Sequence, residues 1–259
     1  MNWKFVFRGS IFASVALAIG LVLLLWLFNQ AFLPPPAGPT PPPPTIEVPS
    51  GHLPRLHVGL QEFAKYQGET YVLVGCGFFF ALDDGTVIGA TTAHSLNFGR
   101  AENPLERIAF RLWDQSNYLV EMDALHVDPG KPRLGRDLTV DYVLLDVDEP
   151  VDPDFVLAPD PRGGPQLGER VALFSGLGGD PGVFSGTVYN VDRRGSWVIM
   201  DENFSPAMMS GSPFVSLYTG NVVGMAISAS HREGRLMIGM HPIGSLIEKA
   251  EVRRLETRD

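Results

Sequence analysis

Hydrophobic and polar positions divide the 259-residue chain into three regimes. From Ile11 to Phe28, 18 successive residues carry no charge and are dominated by Leu, Val, Ile, Ala and Phe. As a helix this run is about 27 Å long, and Asn29–Leu33 extends it, so residues 11–33 are expected to form a single transmembrane helix. Lys4 and Arg8 lie in the short segment 1–10 before it, the positive flank that keeps an N-terminus in the cytoplasm and sends the rest outside. A cleaved signal peptide would have a shorter apolar run followed by small residues. Here Asn-Gln-Ala-Phe-Leu-Pro follows, and an uncleaved anchor is the better reading.

In residues 34–50 the hydrophobic pattern gives way to proline. Pro34-Pro-Pro-Ala-Gly-Pro-Thr-Pro-Pro-Pro-Pro44 reads as a polyproline II spacer. Pro34–Pro44 alone would span about 34 Å, a semi-rigid stalk between membrane and domain.

Residues 51–259 carry the pattern of a folded domain. Leu56–Tyr66 has irregular helical spacing and predicts a short helix. Tyr71–Leu82 reads as a long strand, Asp83-Asp-Gly-Thr86 as a hairpin turn and Val87–Ala93 as the partner strand. Further strands are expected at Arg107–Trp113, Tyr118–His126 and Tyr142–Val147. A Pro-, Asp- and Gly-rich linker, Asp148–Gly168, separates approximate halves 51–150 and 165–259. The second half repeats the pattern at Arg170–Ser175, Gly182–Val191, Gly195–Met200, Pro213–Ser216, Asn221–Ser230 and Arg235–Pro242. Short strands with regular turns predict an all-β sandwich or paired barrels. Ser245–Leu255 closes the chain as a helix, with Ser245 as its N-cap.

Composition narrows this picture. The formal charge is −9, and both charges before the linker are positive, so the domain is more acidic still. That argues against nucleic acid or an anionic lipid surface as its main partner. Cys76 is the single cysteine, so no intrachain disulfide can form. His52, His57, His126, His231 and His241 have no metal-ligand spacing with it, and no metal or other cofactor is expected.

The candidate chemistry sits in Pro206-Ala-Met-Met-Ser-Gly-Ser-Pro213, where Ser210 occupies a tight turn of small and turn-forming residues. Such a turn presents a hydroxyl and aims backbone N–H groups at one spot, as acyl transfer requires. A serine hydroxyl needs a base, and His94 in Thr92-Ala-His94 is the side chain whose ordinary pKa suits the task. Asp141, before the apolar Tyr142-Val-Leu-Leu145, would orient the imidazole; Asp137 is its rival for that role. The order His94, Asp141, Ser210 is one of the known orders of a Ser-His-Asp triad.

These motifs, with Gly75-Cys-Gly-Phe78 and Val222-Val-Gly-Met-Ala226, resemble those of trypsin-like serine peptidases of the chymotrypsin fold, closest to the bacterial Deg/HtrA-type branch without a PDZ domain. The resemblance spans roughly residues 71–250. It implies two six-stranded antiparallel β-barrels with a C-terminal helix, and a serine endopeptidase working through an acyl-enzyme. The oxyanion hole would come from the backbone N–H groups of Met208 and Ser210, although the family has Gly where this chain has Met208. Ile227, Ser228 and Ala229 would pair with an extended substrate, and Phe204, Ile227, Ala229 and Gly239 would line the pocket for the residue before the cut. None of these is charged, which favours small or apolar side chains. Met209 replaces an acidic residue of the digestive enzymes, so no activation by a newly cut N-terminus is expected.

The substrates implied are proteins or peptides near a membrane, with the domain facing the periplasm from a bacterial inner membrane. The alternative is an impaired relative that binds or senses. An esterase of the α/β type is disfavoured, because no G-x-S-x-G elbow is present.

Overall fold

The computed structural model describes residues 53–54, 56–96, 98, 103–133, 135–178 and 182–256. The expected transmembrane helix and the whole proline linker, 34–50, lie outside these residues. Among those described, no helix is long and apolar enough to cross a membrane.

The first half is a sheet of seven strands: β1 Leu60–Tyr66, β2 Val72–Ala81, β3 Val87–Thr91, β4 Leu105–Arg111, β5 Val120–Met122, β6 Val143–Asp146 and β7 Val156–Leu157. Their order is β5-β4-β1-β2-β3-β6, with β7 beside β2. All pairings are antiparallel except β2 with β7. Two expectations are corrected here. The sheet is open, not a closed six-stranded barrel. β5 has three residues and does not pair with β6; beyond its end, an isolated bridge joins Leu125 to Leu145 of β6. The intervening Asp128-Pro-Gly-Lys-Pro132 lacks two ladder donors at its prolines. Secondly, Leu56–Tyr66 is not a helix beyond the 3-10 turn Leu56–Val58; it is mostly strand β1. Every residue of β1 except Lys65 is buried, so its apolar positions do not follow the period-2 alternation of a half-exposed strand.

The second half is a closed barrel of β8 Arg170–Phe174, β9 Val183–Asp192, β10 Gly195–Met200, β11 Pro213–Ser216, β12 Val222–Arg232 and β13 Arg235–Pro242, in the order β10-β13-β12-β11-β8-β9. Helix α1, Ile243–Glu256, follows β13 directly. It starts two residues before Ser245, which therefore lies in the first turn and is not the N-cap.

Three apolar clusters hold the domain together. One fills the first sheet, one fills the barrel, and the third lies between them. In β2 the alternation of a strand buried on both faces is visible residue by residue. Phe78 and Phe80 join Val215, Met225 and Met237 in the shared cluster, while Phe79 points into the first core with Phe110. Each of these phenylalanines is fully buried, a contribution of roughly 1.5–3 kcal/mol apiece. From α1, Ile243, Leu246 and Ala250 join the shared cluster at helical spacing and tie the C-terminus across both halves.

Candidate active site

The loops that follow β3 and precede β6 bring His94 and Asp141 together, and the turn that precedes β11 carries Ser210. Strand β3 ends at Thr91, and His94 stands in a 3-10 turn, Ala93–Ser95, one step beyond the expected strand end. Its Nδ1–H donates to Asp141 Oδ2 at 2.8 Å, and its backbone N–H donates to Oδ1 at 3.1 Å. The backbone N–H of Arg133 donates to Oδ2 at 3.1 Å. Asp141 is 1% exposed, so three donors hold a buried carboxylate against one face of an imidazole whose side chain is 35% exposed. This fixes the tautomer and leaves Nε2 as the outward nitrogen. The rival Asp137 is occupied with its own turn, accepting from the Thr139 N–H at 2.9 Å and the Thr139 hydroxyl at 2.7 Å.

Ser210 lies on the turn before β11. Its hydroxyl donates to the Ile227 carbonyl at 3.4 Å, a long bond that holds it lightly. That carbonyl is free because β12 bulges between Ala226 and Ser228, leaving Ile227 without a partner on β13. The turn itself is tightly specified. The N–H groups of Met209, Gly211 and Ser212 donate to Pro206, Ala226 and Met209 carbonyls. Those of Met208 and Ser210, the two expected from the sequence to form an oxyanion hole, have no acceptor among the described residues.

Met208 has a φ of 64° and a side chain 42% exposed. A non-glycine residue in this region is strained by about 1–2 kcal/mol. The Cys76 thiol donates to the Met208 carbonyl at 3.3 Å and helps to hold that conformation. Burial pushes the Cys76 thiol up to about 12, so it stays a neutral donor.

Around the site, β11 pairs with β12 only as far as Met225, and the turn holds Ala226. From Ile227 onward that edge of β12 has no strand beside it among the described residues, while the other edge pairs with β13. Ile227 is buried, Ser228 half-buried and Ala229 exposed. Phe204 stacks on Phe184 with ring centroids 3.8 Å apart and packs against the barrel's cluster. Gly239 faces elsewhere: a Cβ there would meet Leu138 at 3.0 Å and Trp197 at 3.3 Å, members of the cluster between the halves.

Sequence reasoning missed two buried polar side chains beside these residues. His241 in β13 lies by the backbone of Asp141, and burial, then the nearby Lys249, pulls its pKa down to about 3. Glu62 in β1 is wholly buried behind the Ser210 turn. His241 is a lone polar residue in an apolar strand, which was the available signal; Glu62 follows Gln61 in a strand that also holds Lys65, and gave none.

No family model matches the sequence, and no curated protein matches it. Solved structures do match. Kallikrein-related peptidase 10 is similar with a TM-score of 0.51 and 15% identity, over 78% of this chain and 95% of its own. A thermostable serine protease, AL20, from an extremophilic microorganism is similar with a TM-score of 0.50 and 13% identity, over 76% of this chain and 96% of its own. The chain therefore has the chymotrypsin-like fold of trypsin-like serine proteases: all-β, with one closed barrel, one open half-barrel and a C-terminal helix.

Proposed function

We propose that this chain is a serine endopeptidase in which Ser210, His94 and Asp141 act as nucleophile, base and orienting carboxylate. The observation that carries the reading is the buried Asp141 carboxylate bonded to His94 Nδ1 at 2.8 Å and to two backbone N–H groups. His94 Nε2 would take the proton from Ser210 Oγ as it attacks the scissile carbonyl. The resulting oxyanion would sit on the N–H groups of Met208 and Ser210. Protonated His94 would then pass that proton to the leaving amine, and water would release the acyl group by the same route.

The open edge of β12 at Ile227–Ala229 suits an extended peptide adding as a strand. The Phe184–Phe204 stack and the uncharged side chains of Phe204, Ile227 and Ala229 favour a small or apolar residue before the cut. Within the fold class we place the chain nearest the Deg/HtrA type. The apolar run at 11–33 and the proline stalk support a membrane-anchored enzyme whose domain works outside the cytoplasm.

A second reading, a binding or sensing module, draws on two features: Ser210 Oγ bonds to Ile227 O and not to His94, and Met208 is left-handed. Digestion of a denatured-protein peptide library by the full-length protein, with sequencing of the new N-termini, separates the two. The enzyme reading predicts cuts after small or apolar residues that vanish with Ser210→Ala. No cuts, or equal cuts by the variant, would favour the binding module.

A further inference from the structure

Behind the Ser210 turn, a carboxylic acid is sealed in the first sheet. Glu62 lies in β1, opposite Gly75 on β2 and Phe110 on β4, and is 0% exposed. Gly75 gives it room. A Cβ on Gly75 would stand 2.9 Å from Glu62 Oε2, 2.9 Å from Ser95 Oγ and 3.2 Å from the Ser210 carbonyl oxygen. Three oxygens, from β1, from the residue after the base and from the nucleophile itself, thus converge on one bare α-carbon.

We propose that Glu62 is a positioning residue for the nucleophile turn: its buried carboxyl, packed on Gly75, braces the short piece of β2 from which Ser210 hangs. This rests on the peptidase reading above. The brace is continuous through the backbone. The Cys76 N–H donates to the Ser210 carbonyl at 2.9 Å, and the Thr91 hydroxyl donates to the Cys76 carbonyl at 2.9 Å. On the other side the Ser95 hydroxyl shares a 2.6 Å hydrogen bond with Thr92. Ser95 follows His94 in the chain, so the acid stands between the segment carrying the base and the turn carrying the nucleophile.

Neither oxygen of Glu62 has a partner meeting hydrogen-bond geometry among the described residues. A neutral carboxyl tolerates that site. A carboxylate could not be kept there without a cation or water. No cation faces it. β2 brings the Cys76 thiol, itself neutral, β3 brings Thr91, the 3-10 turn brings Ser95, β4 brings Phe110, and the nucleophile turn brings a carbonyl. Burial pushes the Glu62 carboxyl up to about 8, with the Thr91 hydroxyl opposing weakly. Ionisation above that point would draw water toward Gly75 and displace the Cys76–Ser210 contact.

The test uses the full-length protein and Glu62→Gln, which keeps shape and cannot ionise. The rate of labelling by a fluorophosphonate probe is followed from pH 6 to pH 10, and the Cys76 backbone amide is followed by NMR over the same range. The wild type is expected to lose about tenfold in rate between pH 7 and pH 9, with the Cys76 amide moving at the same midpoint. Glu62→Gln is expected to keep the rate at pH 7 and to show neither change. The Cys76 thiol titrates too high to interfere. An unchanged alkaline fall in Glu62→Gln, or a Cys76 amide that does not move, would overturn the proposal. An amide that titrates in a wild type the probe never labels would leave Glu62's hold on the turn standing and would remove the peptidase reading instead.

Discussion

The backbone N–H of Cys76 donates to the carbonyl of Ser210 at 2.9 Å, so the proposed nucleophile in the second half hangs from a strand of the first. His94 and Asp141 belong to that same first sheet or its loops. This hydrogen bond and that of the Cys76 thiol to the Met208 carbonyl therefore fix the Ser210 turn against the sheet that carries the proposed base. A shift of the halves moves the nucleophile away from the imidazole, and the packed cluster of Phe78, Phe80, Val215 and Met225 resists that shift.

Gly211 makes this approach possible. It has a φ of 93°, and a Cβ there would stand 1.8 Å from the Cys76 carbonyl oxygen. Backbone cannot yield by that amount without parting the turn from β2. Gly211→Ala is expected to destabilise the domain by roughly 3 kcal/mol or more, in the range reserved for backbone strain and core disruption. Chemical denaturation measures it; a loss under about 1 kcal/mol would mean the turn is softer than its geometry implies.

Met208 is the reverse case. Its side chain is half in solvent and its φ of 64° suits glycine. Met208→Gly is expected to raise stability by about 1 kcal/mol and to leave the labelling rate of Ser210 unchanged or higher. A fall in both would show that the methionine side chain itself shapes the turn.

Arg162 joins two buried carboxylates, bonding to Asp160 at 2.7 Å and to Glu169 at 2.9 Å. Ser216 bonds to Glu169 and Thr219 to Asp160, so the network ties the linker between the halves to β11 and the turn after it. Burial pushes the Asp160 carboxyl up, but the Arg162 fork and the Thr219 hydroxyl pull it below the ordinary range. Its stabilisation is therefore present above the ordinary carboxyl pKa of 3.8 and is lost as pH falls below it. Arg162→Ala leaves both carboxylates unpaired and is expected to cost about 3–5 kcal/mol in a denaturation midpoint at neutral pH.

His241 sets a second acid limb. It is neutral when folded, its pKa held near 3 by burial and by Lys249, against 6.5 when free. Because the unfolded chain takes the proton first, stability falls as pH drops from 6.5 toward about 3. The slope approaches ~1.4 kcal/mol per pH unit within that window. His241→Gln is expected to flatten the stability curve there, and an unchanged slope would assign the acid limb to other groups.

The second barrel was legible in the sequence almost strand by strand, because its strands are regular and separated by glycine turns. The Ser210 turn was legible too, since Gly211, Ser212 and Pro213 permit few backbone paths. The first half was harder. Burial of nearly every residue of β1 disguised the strand as a helix, and with it unread the register placing Glu62 opposite Gly75 could not be seen. The open edge between β5 and β6 depends on which strands fail to meet, a long-range fact that local pattern does not carry. Asp141 and Asp137 were both plausible in sequence, four residues apart; only the tertiary structure shows which of them faces His94.

The most direct measurement is labelling of the full-length protein by a fluorophosphonate probe, beside Ser210→Ala, His94→Ala and Asp141→Asn. The account predicts labelling of the wild type at Ser210, none in Ser210→Ala, and loss of rate in His94→Ala. It also predicts a drop of up to about four orders of magnitude in Asp141→Asn, where the imidazole is held in the wrong tautomer. A folded wild type that stays unlabelled, or labelling that persists in Ser210→Ala, would contradict it.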